Sequence, residues 1–227
     1  MIAVVLQARL DSSRLPGKSL LPLGGAPLLF RVMEALGRLP CDLYVLACPV
    51  DCVVPFSPLA EQAGFEVVPG SKEDVLSRYA TAIRRFGIDR VIRATGDNPF
   101  VFIDAAVAIN REALDLKADY AGYCGLPHGA GVESVAADAL LRAEREASGT
   151  GEREHVCPYL YNHPELFLLH RPLAPLPWQG PSLRITVDTP EDYTQAELLY
   201  HALAETEDQE TRYQGAWIIN TLSGNPP

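Results

Sequence analysis

The sequence lacks the marks of several protein classes. No window approaches the ~18 uninterrupted apolar residues of a membrane span. The opening MIAVVLQARL has no basic leader and no small-residue cleavage site, so it does not read as a signal peptide. The expectation is a cytoplasmic chain with no membrane partner. Cysteine is scarce and unpatterned: the five, Cys41, Cys48, Cys52, Cys124 and Cys157, are odd in number and contain no CxxC pair. That argues against a disulfide framework or a zinc site and for reduced thiols. Basic charge is also short, with 19 Lys and Arg against 29 Asp and Glu and a net charge of -10. A broad nucleic-acid surface needs the opposite balance, so no nucleic-acid partner is expected. Two phosphate-binding signatures are incomplete. Gly17-Lys18-Ser19 would end a P-loop only with glycine at position 12, where Ser12 stands. Gly129 and Gly131 are followed by Ser134 where a dinucleotide fingerprint places its third glycine.

What is present is a chain of 227 residues, 48% hydrophobic, which is enough for one sizeable core. Ile2 to Ala8 reads as a buried strand, because it is a short apolar run rich in β-branched residues. After a polar loop, Pro27 opens a helix with Leu28, Leu29, Val32, Met33 and Leu36 on one face. Leu43 to Cys48 and Phe65 to Val68 read as strands. Pro55 and Pro58 argue against a long helix over 51–64. Ser71 reads as the N-cap of a helix that runs to Phe86 and stops at Gly87, with Asp74 completing a near-match to the capping box. Arg90 to Thr95 is a fourth strand, followed by a helix over 104–117 and a strand from Asp119. The 122–181 region is richer in Gly, Pro and His. It reads as an insertion with a helix near 138–148 and extra strands such as LFLLHRPL, whereas Arg184 to Asp188 reads as a buried strand before a helix over 190–205. This alternation predicts an α/β fold with a mostly parallel sheet covered on both faces, and one domain over 1–227. Ligands of such sheets gather at the carboxyl ends of the strands, where Asp97 and Asp188 are placed.

The loop after the first strand carries Arg9, Arg14 and Lys18 together with Ser12, Ser13 and a Pro-Gly turn. Convergent cations and loop N–H groups suit a triphosphate; on charge alone the same residues also suit a solvated basic loop. Asp97 in Gly-Asp-Asn-Pro and Asp188 in Val-Asp-Thr-Pro suit magnesium, which takes one or two carboxylates plus phosphate oxygens and water. Each also suits a turn or cap aspartate.

The run Q7-A-R9-x-x-S12-x-R14-x-P16-x-K18 resembles the opening signature of the sugar cytidylyltransferases. The likeness continues at G70-S-x-x-D74-V-L-x-R78, R93-x-T-G-D97-x-P99, E152-R-E-H155-V and R184-I-T-V-D188-T-P-E-D192, and is nearest to the spore-coat-polysaccharide branch. The resemblance implies a three-layer α/β sandwich that joins CMP from CTP to a sugar, a keto-sugar acid, and releases pyrophosphate. It gives Asp97 and Asp188 to Mg2+, and Ala8, Arg9, Ser12, Arg14 and Lys18 to the triphosphate, with Arg9, Arg14 and Lys18 catalytic. Gly70, Ser71 and Arg78 would meet cytosine and ribose, with Ser71 equally suited to capping a helix. Glu133, Glu152 and His155 would meet the acceptor. It also implies a homodimer through 122–181, to which the tail helix with Trp217, Ile218 and Ile219 adds apolar surface. One departure is Cys157, where the branch carries threonine. On this reading Lys18→Ala lowers turnover by roughly a hundredfold or more and leaves stability nearly unchanged. The alternatives are a nucleotide-sugar glycosyltransferase, which usually carries Asp-x-Asp, absent here, and a non-catalytic nucleotide-binding module.

Overall fold

The computed structural model describes residues 1–205 and 210–224. Its centre is β1 (Ile2–Gln7), whose apolar run is buried alternately on two faces: Val4 and Leu6 join one core, Ala3 and Val5 the other. A strand covered on both sides needs no polar alternation. β4 (Leu43–Pro49) and β6 (Arg90–Thr95) pair with it in parallel, and β5 (Glu66–Gly70) extends the sheet beyond β4. On the other side β8 (Glu133–Ala136) joins β6 antiparallel, followed by β7 (Tyr120–Ala121) and β9 (Leu169–His170), giving the order β5-β4-β1-β6-β8-β7-β9. The hairpin β2 (Pro22–Leu23) and β3 (Ala26–Pro27) stands apart.

One face is covered by α1 (Leu28–Leu36), α2 (Val53–Ala63), α4 (Ile103–Asp115), α8 (Pro190–Ala204) and α9 (Gly215–Leu222). α3 (Val75–Phe86), α5 (Ala137–Glu146), α6 (Thr150–His155) and α7 (Pro158–Asn162) lie on the other. The expected α1 face is fully buried at Leu28, Leu29, Val32, Met33 and Leu36. Each such side chain contributes about 1.5–3 kcal/mol of burial. The layers are helix, sheet, helix. The chain leaves β1 toward β4 and β5, then returns across it to β6. That reversal opens a crevice at the carboxyl ends of β1 and β6. Among the described residues no helix is long and apolar enough to cross a membrane.

Three local expectations need correction. α2 is an 11-residue helix despite its prolines. Pro55 falls in the first turn, where the missing N–H has no intrahelical partner to lose. Pro58 frees the carbonyl of Val54, whose residue is 83% exposed, so water can serve that carbonyl. The cap of α3 is Asp74, which accepts from Ser77 N at 3.0 Å; Ser71 lies one turn earlier and accepts from Asp74 N at 3.1 Å. Residues 184–188 are extended but lie outside the sheet. Their amides bond two loops in turn, Ile185 N to His128 O at 2.9 Å and Val187 N to Asp97 O at 2.8 Å, so no continuous ladder forms.

That strap depends on Gly129. Its φ is +99°, and an ideal Cβ there would fall 2.6 Å from the Thr186 nitrogen. Gly129→Ala should therefore cost at least ~2 kcal/mol, a melting-temperature drop of roughly 4–8 °C. A melting curve unchanged from wild type would show that the strap tolerates displacement.

Candidate active site

The crevice is a cleft of about 410 Å³ at the ends of β1 and β6. One wall is the loop after β1, folded on itself by bonds from Ser12 N and Gly17 N to the Leu10 carbonyl, at 3.1 and 3.2 Å. The Ser19 hydroxyl donates to Arg9 O at 2.9 Å, and Ser12 Oγ accepts from Leu15 N at 3.3 Å. Ala8, Arg9, Ser12, Arg14 and Lys18 all line the cleft.

Opposite the loop, the strap brings Asp188 beside Asp97. Asp188 sits just before a capping box in which Asp192 Oδ2 accepts from the amides of Asp188 and Thr189, both at 3.0 Å. The Lys18 ammonium bridges the two carboxylates, 2.8 Å from Asp188 Oδ1 and 3.2 Å from Asp97 Oδ2, and donates to Val187 O at 2.7 Å. Asp188 Oδ2 also meets Arg184 at 2.7 Å and Arg14 at 3.3 Å. Burial pushes the Asp188 carboxyl up, but Lys18, Arg184 and Arg14 outweigh it and hold the group below its ordinary pKa. Its stabilising contribution is complete above the ordinary carboxylate pKa and is lost as pH falls through the lowered value. Lys18 is 9% exposed and spends all three donors here. These contacts predict that removing Lys18 lowers stability, where the sequence alone led to an expectation of little change.

The donor set fits magnesium. Two carboxylates converge, and Asp97 Oδ1 accepts from no group among the described residues. No three His, Cys, Asp or Glu side chains there form a closed metal cage, so an ion would complete its shell with phosphate and water.

Deeper in the cleft is Arg78, 2% exposed, whose Nε and Nη1 are buried without hydrogen-bond partners. A buried guanidinium with idle donors is costly unless a ligand satisfies them. Gly70 lies outside the cleft and packs on the Arg78 stem; an ideal Cβ there would fall 2.6 Å from Arg78 Cγ. Ser71 is likewise outside, bonded within the turn before α3.

The third wall is α6. Of its expected residues His155 lines the cleft, whereas Glu152 does not and instead accepts from Gly149 N at 3.3 Å. Glu133 lies outside the lining, paired with Arg93 and accepting from Tyr120 Oη at 2.7 Å. Arg93 reaches the cleft and also donates to Gln7 Oε1 at 3.2 Å. Burial opposes its charge, but its surroundings, Glu133 foremost, outweigh this and its pKa is raised. The structure adds residues that sequence reasoning missed: Arg93, Asn98, His128, Thr186 and Glu154. Glu154 lies inside the Glu-Arg-Glu-His run of residues 152–155, and helical phase decides which glutamate faces inward. The strand position of Arg93, a charge flanked by apolar residues, was the available signal for that residue.

A family profile described as cytidylyltransferase matches residues 3–217. The spore coat polysaccharide biosynthesis protein SpsF of Bacillus subtilis (strain 168) is 34% identical over 234 residues, covering 99% of this chain and 95% of that protein. A cytidylyltransferase structure from Leptospira borgpetersenii superposes with a TM-score of 0.87 at 24% identity, covering 99% of this chain and 94% of that one. The structure of CMP:2-keto-3-deoxy-manno-octonic acid synthetase complexed with CTP gives a TM-score of 0.69 at 17% identity, covering 88% and 98%. The chain is a nucleotidyltransferase and belongs to the cytidylyltransferase family.

Proposed function

We propose that the cleft binds CTP with magnesium and transfers CMP to a hydroxyl of a keto-sugar acid, releasing pyrophosphate, in the assembly of a surface polysaccharide. The observation that carries this reading is the meeting of Lys18, Asp97 and Asp188 beside the β1 loop. The sugar oxygen forms a bond to the α-phosphorus, the bond to the pyrophosphate oxygen breaks, and the hydroxyl proton is lost. This transfer depends on positioning and charge neutralisation. Arg9, Arg14 and Lys18 neutralise the phosphates, with Ser12 and the Ala8 backbone shaping the loop. Magnesium held by Asp97 and Asp188 would neutralise charge on the phosphate oxygens. His155 faces the acceptor. Glu133 acts from outside the lining by holding Arg93, and Glu152 acts by capping α6.

Arg78 supplies nucleotide choice. Cytosine presents two adjacent acceptors, O2 and N3, to a pair of N–H donors, whereas uracil carries a proton at N3. Gly70 fixes the Arg78 stem, and Ser71 steadies the adjoining turn. CTP with magnesium should bind at least about tenfold more tightly than ATP, or ~1.4 kcal/mol. Arg78→Met should erase that preference without lowering the melting temperature, since it removes a buried charge lacking a partner. Equal calorimetric affinities of the wild type for CTP, UTP and ATP would sink the assignment. Pyrophosphate release from CTP across a panel of keto-sugar acids tests transfer itself; binding with no release from any member would leave a nucleotide-binding module.

A further inference from the structure

Arg78 apart, the arginines and the lysine of the cleft are each matched to a carboxylate. Lys18 lies between Asp97 and Asp188, Arg14 touches Asp188 and Arg93 holds Glu133. Arg9 reaches across to Glu154 on α6, Nη1 to Oε1 at 3.5 Å, with both side chains about half exposed. Asp97 and Asp188 have a second role as candidate metal ligands. Glu154 has no such role, and among the described residues its one ion pair is with Arg9.

α6 is held to present it. Arg153, the preceding residue, points away from the cleft and clamps Asp74 at 2.6 and 2.9 Å, as well as the carbonyls of Glu144 and Ala147 at 3.0 and 2.9 Å. At the other end Val156 closes a tight turn, Cys157 N to His155 O at 2.9 Å, with φ +73° and ψ -57°. That backbone is strained for a β-branched residue and persists only where its surroundings enforce it. Val156 is fully buried. Between clamp and turn, Glu154 and His155 are the residues of α6 that line the cleft.

We propose that Glu154 is an internal competitor for the triphosphate site, holding Arg9 until incoming phosphates displace it and then offering its freed carboxylate to acceptor hydroxyls. A triphosphate is the stronger partner for Arg9, because it presents several anionic oxygens to a guanidinium able to clamp two. Once Arg9 turns to the phosphates, Glu154 is left beside a polyanion without a cation. Hydroxyl donors, with His155 beside them, relieve it. The second half rests on the proposed transfer reaction; the first half needs only an anion in the phosphate loop.

The test uses the full chain and two probes, CTP with magnesium and inorganic tripolyphosphate, titrated calorimetrically. Glu154→Gln should tighten both by roughly two- to tenfold, and this gain should vanish in an Arg9→Ala background, because the competition runs through Arg9. An equal gain with Arg9 absent would mean simple charge repulsion, and no gain at all would mean an incidental surface pair; either overturns the proposal. Tripolyphosphate keeps the result independent of nucleotide choice: tightening there while CTP binds no better than ATP would fault the cytidine assignment and leave the competitor standing. In turnover with the keto-sugar acid that supports pyrophosphate release, Glu154→Gln should raise that sugar's KM by about tenfold or more. An unchanged KM would remove the acceptor role.

Discussion

Lys18→Ala should lose at least about a hundredfold in turnover and also unfold at a lower temperature. The catalytic loss follows from removing a cation that the proposed reaction uses beside the transferring phosphates. The stability loss follows from what remains: Asp97 and Asp188 face one another with their shared ammonium gone, and the Val187 carbonyl loses its donor. Asp188 keeps Arg184 and Arg14, but leaving Asp97 without its partner and the Val187 carbonyl without its donor costs about 2–4 kcal/mol, a melting-temperature drop of roughly 4–16 °C for a chain of this size. Magnesium should recover more stability in the variant than in the wild type, since no ammonium then competes with it for the two carboxylates. Thermal melts with and without magnesium, beside pyrophosphate release, decide the matter. Wild-type stability would show that the bridge carries no energy, and full turnover would remove Lys18 from the mechanism.

Asp97→Asn and Asp188→Asn should each lower magnesium-dependent turnover by roughly a thousandfold, and the double variant should be little worse than either. Residues that act as one unit fail together, so their losses do not multiply. The stability responses should differ. Asp188 meets Lys18, Arg14 and Arg184 and is more buried than Asp97, whose side chain meets Lys18 alone among the described residues. Asp188→Asn should therefore melt lower than Asp97→Asn. Multiplicative losses in turnover would place the two carboxylates in separate roles and refute the shared ion.

Where a signal in the sequence was physical and local, it carried through. β1 is an apolar run because both of its faces are buried, and α1 is amphipathic because one of its faces is. Position within the sheet also followed, since Asp97 leaves β6 at the crevice. The exceptions depend on surroundings that no short window contains. Pro58 reads as a helix breaker until its solvent-facing side is known. Residues 184–188 have a strand's composition because Ile185, Thr186 and Val187 are buried, yet their partners are loops contributed by distant parts of the chain. Glu152 and Glu154 are chemically identical, and only the phase of a six-residue helix separates a cap from a cleft residue. The family resemblance marks Arg78, but its unpartnered donors arise only from the packing of α3 against the sheet.

The ammonium of Lys18 ties residues near the start of the chain to Val187 and Asp188 near its end. During synthesis, β1 must wait for β4 and β6 to flank it, and the phosphate loop must wait longer still. Until residue 188 has been made, Lys18 has neither its carbonyl acceptor nor its closer carboxylate. The sheet can form as its strands appear, whereas the site cannot close before the last third of the chain arrives. Contacts of such long sequence separation slow folding. A nascent chain stopped short of the strap would hold a nearly complete sheet and no competent phosphate site.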